Sequence, residues 1–242
     1  MIDLHSHILP RLDDGAQSLE ESLAMARLAV ESGVRDMVAT PHCINGNARK
    51  VYDSWQLLSS ALRELGIPLR VHPGMEILGT ADTARLLQEG KLLTLNGSRY
   101  PLMEFPFQAE ARENTEILKG VIRAGYRPLI AHPERYECVQ LDPGCINTWH
   151  EMGCLLQVNR GSLLGRFGST AQDMAFALVD RGFAAVVASD AHSPRMRTPW
   201  LQDVHELLDE EFSPVAARYL LLRNPASIIK NEDIPVVEPE WF

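Results

Sequence analysis

The sequence predicts an α/β fold in which seven parallel strands alternate with helices and close into a β/α barrel. Short apolar runs alternate with amphipathic stretches along most of the 242 residues. The runs are hydrophobic throughout, which is typical of parallel strands covered by helices. Ligand-type side chains end six of these strands. An open doubly wound sheet would gather such residues at one switch point, so their spread favours a closed barrel.

Helix signals mark the first two strand–helix units. The strand over 2–5 precedes a helix that starts at Ser18, where a Glu three residues later completes a capping-box pattern, and ends at Gly33. The strand over 36–40 is followed by a helix over 55–64, which ends before a glycine.

The five later units repeat the alternation of an extended apolar run with a helical stretch. Gly125 ends the fourth helix in the way that Gly33 ends the first. The predicted strands and their helices are 69–77 with 82–89, 100–105 with 113–124, 128–132 with 143–152, 155–159 with 171–181, and 184–190 with 201–209.

Composition and charge exclude several classes of protein. With 45% hydrophobic residues, the chain is expected to form one domain over 1–242. A formal net charge of −9 and a pI near 5.4 argue against nucleic acid or an anionic membrane as a partner, because both require a basic surface. No stretch is apolar enough to insert into a membrane, and a strand begins at residue 2, so we expect a soluble, unexported, cytoplasmic protein. The four cysteines form no C-x-x-C pair and are expected to stay reduced.

His5 and His7 give the first indication of a metal site. Residues two apart on a strand project from the same face, and neutral imidazoles are good ligands for divalent metals. An isolated H-x-H is more often an ordinary solvent-facing pair, but other strands here also end in ligand-type residues. The candidates at or just past strand ends are His5, His7, His42, Glu76, Glu104, His132, Asp190 and His192.

The mixture of imidazoles and carboxylates indicates which ions the site would hold. Such sets favour zinc, manganese or iron over magnesium or calcium. Eight or nine ligands exceed the needs of one ion, so we expect two or three, with Glu76 as the bridging carboxylate. Asp14, beside Asp13 and Gly15, is a further candidate ligand; the alternative is an Asx turn leading into the first helix.

Arg135 and Arg197 lie just past two of the ligand-bearing strands. Either arginine could be an ordinary salt-bridge residue. The functional alternative is forked recognition of a phosphate beside the metals, for which the planar guanidinium is well suited.

Some suggestive residues receive no metal or catalytic role. His72, His150 and His205 are interpreted as structural or surface residues. Residues 42–49 fit H-C-x5-R, the signature of cysteine-dependent tyrosine phosphatases. The match is weak, because the segment has one glycine where such phosphate cradles have several, and Cys43 is left without a role.

The chain resembles the polymerase and histidinol phosphatase (PHP) superfamily. Within it, the chain is most similar to bacterial manganese-dependent protein tyrosine phosphatases from capsular and exopolysaccharide gene clusters. The similarity runs nearly end to end and is carried by residues 5–10, 13–16, 40–42, 74–76, 104–105, 131–135, 189–192 and 224–226.

The resemblance implies a distorted seven-stranded β/α barrel with a trinuclear site, for which we expect Mn²⁺, with iron or zinc as alternatives. By matched position, one ion would be held by His5, His7, Glu76 and Asp190, a second by Glu76, Glu104 and His132, and a third by Asp14, His42 and His192.

The resemblance also implies a reaction and a partner. The reaction is hydrolysis of phosphotyrosine, and the partner is the tyrosine-rich tail of a bacterial tyrosine autokinase that controls polysaccharide assembly. Arg135 and Arg197 match family arginines that engage the phosphate. Two alternatives stay open: a phosphoesterase of the same superfamily acting on a small phosphomonoester such as histidinol phosphate, and a metal-stabilised binding module without turnover.

Overall fold

Short parallel strands form the centre of the molecule. The structure is a computed structural model that describes residues 1–43, 46–234 and 238–242. Its strands are β1 (Ile2–Ser6), β2 (Asp36–Ala39), β3 (His42–Cys43), β4 (Arg70–Pro73), β5 (Glu76–Leu78), β6 (Leu102–Glu104), β7 (Leu129–Ala131), β8 (Leu155–Asn159) and β9 (Ala184–Ala188). They pair in parallel in two sheets, of order β1-β2-β4 and β3-β5-β6-β7-β8-β9.

Two breaks divide the strands between the sheets. The chain leaves β2 at Thr40–Pro41 and re-enters the second sheet as β3, and it does the same between β4 and β5 at Gly74–Met75. Proline has no amide hydrogen for the ladder. A Cβ at Gly74 would lie 2.8 Å from Cγ1 of Val38, so only glycine allows this close approach. Counting each broken strand once gives the seven predicted strands, although the single strand predicted over 69–77 was wrong in its continuity.

The first and last strands meet through a few polar contacts rather than a full ladder. Ser6 and Ala191 form an isolated parallel bridge, and the Asp190 amide donates to the His5 carbonyl oxygen at 2.9 Å. The buried Asp3 carboxylate accepts from the amide (3.0 Å) and hydroxyl (2.6 Å) of Ser189. The predicted barrel is therefore distorted at this closure as well as at the two breaks.

The helices follow the strands as predicted, with shifted ends. They are α1 (Leu19–Glu31), α2 (Ala48–Glu64), α3 (Thr83–Gln88), α4 (Ala111–Arg123), α5 (Glu137–Leu141), α6 (Gly144–Glu151), α7 (Arg160–Leu163), α8 (Ser169–Asp180), α9 (Gln202–Glu211), α10 (Pro214–Arg218) and α11 (Asn224–Ile229), with a π-helical turn over Tyr219–Arg223. The Ser18 hydroxyl caps α1, as expected, by accepting from the Glu21 amide. Helix α2 begins two turns before the predicted start because Val51 and Leu58 bury one face along its whole length.

Strand β8 has one face in the hydrophobic core and the other face at the functional site. On β8, Leu156 and Val158 pack in the larger hydrophobic cluster, which also contains Trp149. The alternate residues Gln157 and Asn159 are buried on the other face, where they reach the functional site. Among the described residues, no helix has both the length and the hydropathy needed to cross a membrane.

We expect Asp3→Ala to lower the free energy of unfolding by about 1 to 3 kcal/mol, because it leaves the buried amide and hydroxyl of Ser189 at the barrel closure without their carboxylate acceptor. Asp3→Asn should cost less, since an amide oxygen still accepts. Urea unfolding measures both. Asp53→Ala, which removes an exposed pair with Arg49, is the control and should change stability by about 0 to 1 kcal/mol. Equal stability of Asp3→Ala and the wild type would contradict this role.

Candidate metal centre

All nine predicted metal ligands converge at the C-terminal ends of the strands. Each stands in, at the end of, or just past a strand, except for one that lies in the loop before α1. The set comprises His5 on β1, His7, Asp14, His42 on β3, Glu76 on β5, Glu104 on β6, His132 after β7, and Asp190 and His192 after β9.

The Glu76 carboxylate lies at the centre of the cluster. Its Oε1 is 2.9 Å from Nε2 of His132. Its Oε2 lies 3.0 Å from Nδ1 of His42, 3.2 Å from Nε2 of His5 and 3.3 Å from Nε2 of His7. One carboxylate thus faces four imidazoles through two oxygens, which is the arrangement expected of a bridging ligand. The strand breaks create it, because β3 and β5 pair His42 with Glu76 in register.

Asp190 closes the buried side of the cluster. Its Oδ1 lies 3.4 Å from Nε2 of His5 and 3.5 Å from Nε2 of His7. Its Oδ2 accepts from Nδ2 of Asn159 at 2.6 Å and from Nη2 of Arg197 at 2.5 Å. One oxygen therefore faces the histidines while neighbouring donors fix the other.

An outer group faces solvent. Oδ1 of Asp14 lies 3.5 Å from Nε2 of His42 and 3.4 Å from Nε2 of His192. The side chains of Asp14 and His42 are 64% and 37% exposed, whereas those of His5 and His7 are fully buried. Glu104 connects this group to the centre, with Oε1 2.9 Å from Nδ1 of His42.

The donor set fits divalent cations. Ligand atoms lie within 4.8 Å of one another in four groups: His7, Asp14, His42 and His192; His5, His7 and Asp190; His5, Glu76 and His132; and His42, Glu76 and Glu104. Oε2 of Glu76 and Nε2 of His192 are buried and have no hydrogen-bond partner among the described residues. Buried polar atoms are normally satisfied, so atoms left open within these ligand groups indicate that cations belong there.

A second layer of polar residues orients the ligands. Oε1 of Gln157 accepts from Nδ1 of His5 at 2.8 Å, and Oδ2 of Asp13 accepts from Nδ1 of His7 at 2.6 Å. Both rings then present Nε2 to the cluster. Asp13 also accepts from the His42 amide, so one carboxylate fixes two ligands.

Sequence reasoning missed most of this second layer. The sequence marks Asp13 only as half of an acidic pair. For Gln157 and Asn159 there was a usable signal, since two polar residues alternate in an otherwise apolar, buried strand.

The carboxylates and imidazoles of the cluster shift one another's pKa values. Burial alone would raise the pKa of Glu76, but the surrounding imidazoles outweigh it and hold this pKa well below its usual value. Burial likewise would lower the pKa of His42, yet Glu104 and Glu76 raise it to about 10. Burial and the nearby charge of His7 instead lower the pKa of His192 to about 4. A cation that binds at His42 must displace the proton that this raised pKa retains, so the affinity for metal falls as the pH is lowered.

The backbone is strained where it carries the site. His132 (φ +36°), Asp190 (φ +50°) and Arg197 (φ +50°) all adopt the left-handed region that non-glycine residues rarely occupy. Such residues cluster at functional sites because the surrounding contacts hold them there.

Arg135 and Arg197 border the cluster, and both approach the same oxygen of Asp190. Arg197 donates to Oδ2, and Nη1 of Arg135 lies 3.7 Å from it. The guanidinium of Arg135 is stacked between the rings of Phe107 and Phe167, at 4.5 and 4.2 Å. Arg197 thus has a structural contact, while both side chains keep further N–H groups next to the site.

The cysteine motif does not form a phosphate cradle among the described residues. Cys43 is half-buried on β3, and Arg49 lies in α2 with an 89% exposed side chain that pairs with Asp53 at 2.9 Å. Residues 44 and 45 of the motif lie outside the described residues.

The three remaining histidines lie outside the cluster. His72 bonds to Asp36. His150 packs against Phe183 and Trp241. His205 lies 3.6 Å from Asp209 on α9.

Comparison with known proteins identifies the family. The family described as capsular polysaccharide synthesis, CpsB/CapC, matches residues 1–230. The tyrosine-protein phosphatase YwqE of Bacillus subtilis is 36% identical over 238 residues, covering 97% of this chain and 93% of that protein. The tyrosine-protein phosphatase CpsB of Streptococcus pneumoniae is 30% identical over 241 residues, covering 96% and 99%.

Comparison with solved structures gives the same result. A chain from the crystal structures of YwqE and CpsB, described as unique metal-dependent tyrosine phosphatases, superposes with a TM-score of 0.93 at 35% identity and covers 100% of this chain and 99% of that one. A lactonase from Listeria monocytogenes, 12% identical with a TM-score of 0.64 over 96% and 95%, shares the fold alone. This chain belongs to the CpsB/CapC family, which confirms the predicted resemblance and fold.

We expect Glu76→Ala to lose bound metal, because one side chain contacts the ligands of several ion positions. Elemental analysis after dialysis against Mn²⁺ and desalting measures it. Glu89→Ala, an exposed glutamate on the C-terminal side of α3, is the control and should retain the wild-type metal content. A Glu76→Ala protein with its full complement of metal would show that Glu76 does not bridge.

Proposed function

We propose that this chain is a metal-dependent protein tyrosine phosphatase that hydrolyses phosphotyrosine monoesters. The observation that supports the proposal is the convergence of nine imidazole and carboxylate side chains beside two guanidinium groups. The family relatives named above are tyrosine-protein phosphatases, and the matching solved structure is described as metal-dependent.

The site would hold two or three divalent cations, with Mn²⁺ our first expectation and iron or zinc as alternatives. We assign one position to His5, His7, Glu76 and Asp190, a second to Glu76, Glu104 and His132, and a third to Asp14, His42 and His192. When bound, divalent cations supply Lewis-acid charge to phosphate oxygens and lower the pKa of coordinated water.

The chain's own residues bind and orient the phosphate. Arg135 and Arg197 would donate to phosphate oxygens that point away from the cluster. Stacking between Phe107 and Phe167 holds the guanidinium of Arg135 in one plane. Asp190 limits how far either arginine can move, because both lie against its Oδ2.

We further propose that the physiological substrate is the phosphorylated tyrosine-rich tail of a bacterial tyrosine autokinase, acting in capsular or exopolysaccharide synthesis. The family's link to capsular polysaccharide synthesis supports this. The reaction would then take place in the cytoplasm, where the ATP that such a kinase consumes is made. Ranking kcat/KM on a phosphotyrosine peptide against histidinol phosphate tests the substrate class, and a higher value for histidinol phosphate would favour the small-substrate alternative.

We expect activity to depend on metal and not on a thiolate. EDTA should abolish hydrolysis of a phosphotyrosine peptide, and added Mn²⁺ should restore it, because the ligand cluster has no other source of Lewis-acid charge. Cys43→Ser should keep close to wild-type activity. A dead Cys43→Ser enzyme together with insensitivity to EDTA would establish the cysteine mechanism instead.

We expect Arg135→Ala and Arg197→Ala to lower kcat/KM by about ten- to a hundredfold, the value of a charge-assisted contact to phosphate. Metal content should be unchanged in Arg135→Ala, whose guanidinium lies 3.7 Å from Asp190. Arg197→Ala should also bind metal less tightly, since Asp190 loses a donor. Steady-state kinetics with metal analysis separates the two effects. Wild-type kcat/KM in either variant would exclude that arginine from phosphate binding.

A further inference from the structure

The rim of the metal centre is chemically uneven. Where Asp14 and His42 lie, it is polar and exposed. Around Arg135 it is aromatic, because the half-buried rings of Phe107 and Phe167 stack on the guanidinium. The aromatic part of the rim is one of the surfaces that a group esterified to a bound phosphate could contact.

The ring of Phe167 reaches both arginines. Its centroid lies 4.2 Å from Cζ of Arg135 and 5.9 Å from Cζ of Arg197. The ring of Phe107 lies 5.9 Å from the ring of His132. A phosphate held between the arginines and the ligand cluster is therefore bordered by these two phenyl rings.

The local backbone is built to seat the ring of Phe167. The ring lies in the loop between α7 and α8, flanked by Gly165 (φ +71°) and Gly168 (φ +91°). A Cβ at Gly161 would lie 2.6 Å from Cε2 of Phe167, so the absence of a side chain at 161 makes room for it.

A cavity continues outward from the aromatic part of the rim. Its volume is about 320 Å³, which is within the range of small-ligand sites. Both phenylalanines and Arg135 line it, together with Gln108, Glu137 and Gln140. Its lining combines the two phenyl rings with the amide groups of Gln108 and Gln140 and the carboxylate of Glu137.

We propose that Phe167, assisted by Phe107, determines the substrate class by packing against the aromatic ring of an aryl phosphomonoester. Aryl esters are then preferred over alkyl esters, because aromatic pairs gain from edge or offset contact in addition to buried area. The inference rests on the proposed function for the identity of the reaction. It adds the residues that would distinguish phosphotyrosine from aliphatic phosphate esters.

Two non-hydrolysable probes test the preference without turnover. Calorimetry on the full-length, metal-loaded protein compares the affinities for phenylphosphonate and propylphosphonate. The wild type should prefer the phenyl compound, and Phe167→Ala should reduce that preference by about three- to tenfold. Gly161→Ala should reduce it similarly, because the new methyl group displaces the ring. Phe167→Tyr should retain it.

Tyr219→Ala is the matched control, since Tyr219 is a 37% exposed aromatic overlaid by Arg223 at 5.7 Å and lies in the π-helical turn. Its preference should equal that of the wild type. An unchanged preference in Phe167→Ala and Gly161→Ala would overturn the proposal. So would an equal loss of affinity for both probes, because it would mean that the rings only orient Arg135.

Kinetics give a second readout. The ratio of kcat/KM for a phosphotyrosine peptide to that for the matching phosphoserine peptide should fall in Phe167→Ala by the same factor as the phosphonate preference. If the wild type hydrolyses neither peptide, the proposed function fails, while the phosphonate comparison still decides whether the rim selects aryl groups. Melting temperature and metal content of each variant show that fold and cluster are intact.

Discussion

The site depends on a buried carboxylate that cannot remain without positive charge. Glu76 is inaccessible to solvent, and an uncompensated carboxylate in such a place would be strongly destabilising. Histidines from several strands converge on it, and their nitrogens lie 2.9 to 3.3 Å from its two oxygens, close enough to share an ion with them. In the surrounding polar layer, Gln157 and Asp13 keep the rings of His5 and His7 turned inward, and Asn159 fixes Asp190.

The breaks in the barrel strands place His42 beside Glu76. If β2 and β4 continued without a break, the chain would stay in one sheet. The breaks at Pro41 and Gly74 instead start new strands whose first residues, His42 and Glu76, are direct neighbours. At the other edge, Asp3 and Ser189 join the first and last strands and hold the two ligand-bearing segments together.

Much of the fold and the convergence of the candidate ligands on one rim could be predicted from the sequence, because both follow local rules. Apolar runs mark strands, and the residue after a buried strand in such a fold lies at the functional rim. The pairing of Gln157 with His5 and of Asn159 with Asp190 was not predictable in the same way. It depends on which strands become neighbours and on their register.

Other features bring together residues that lie far apart in the sequence and follow no periodic pattern. The two rings that enclose Arg135 come from separate loops, and their contact with it exists only in the folded chain. The break inside the strand predicted over 69–77 also escaped prediction, since Gly74 is compatible with a continuous extended run, and so did the short strand β3 that follows the strand predicted over 36–40. Even Arg197, found by its position, has a contact with Asp190 that the sequence does not reveal.

The gradient of exposure across the cluster has a kinetic consequence. His5, His7 and Asp190 are closed off from solvent, whereas the carboxylate of Asp14 stands largely in water. An ion at the inner positions can exchange with solution only when the surrounding packing opens, while an ion beside Asp14 needs only to shed its exposed ligands. The positions would therefore fill and empty on different timescales. A brief treatment with chelator would reach the outer ion first and yield a partly loaded protein before an empty one.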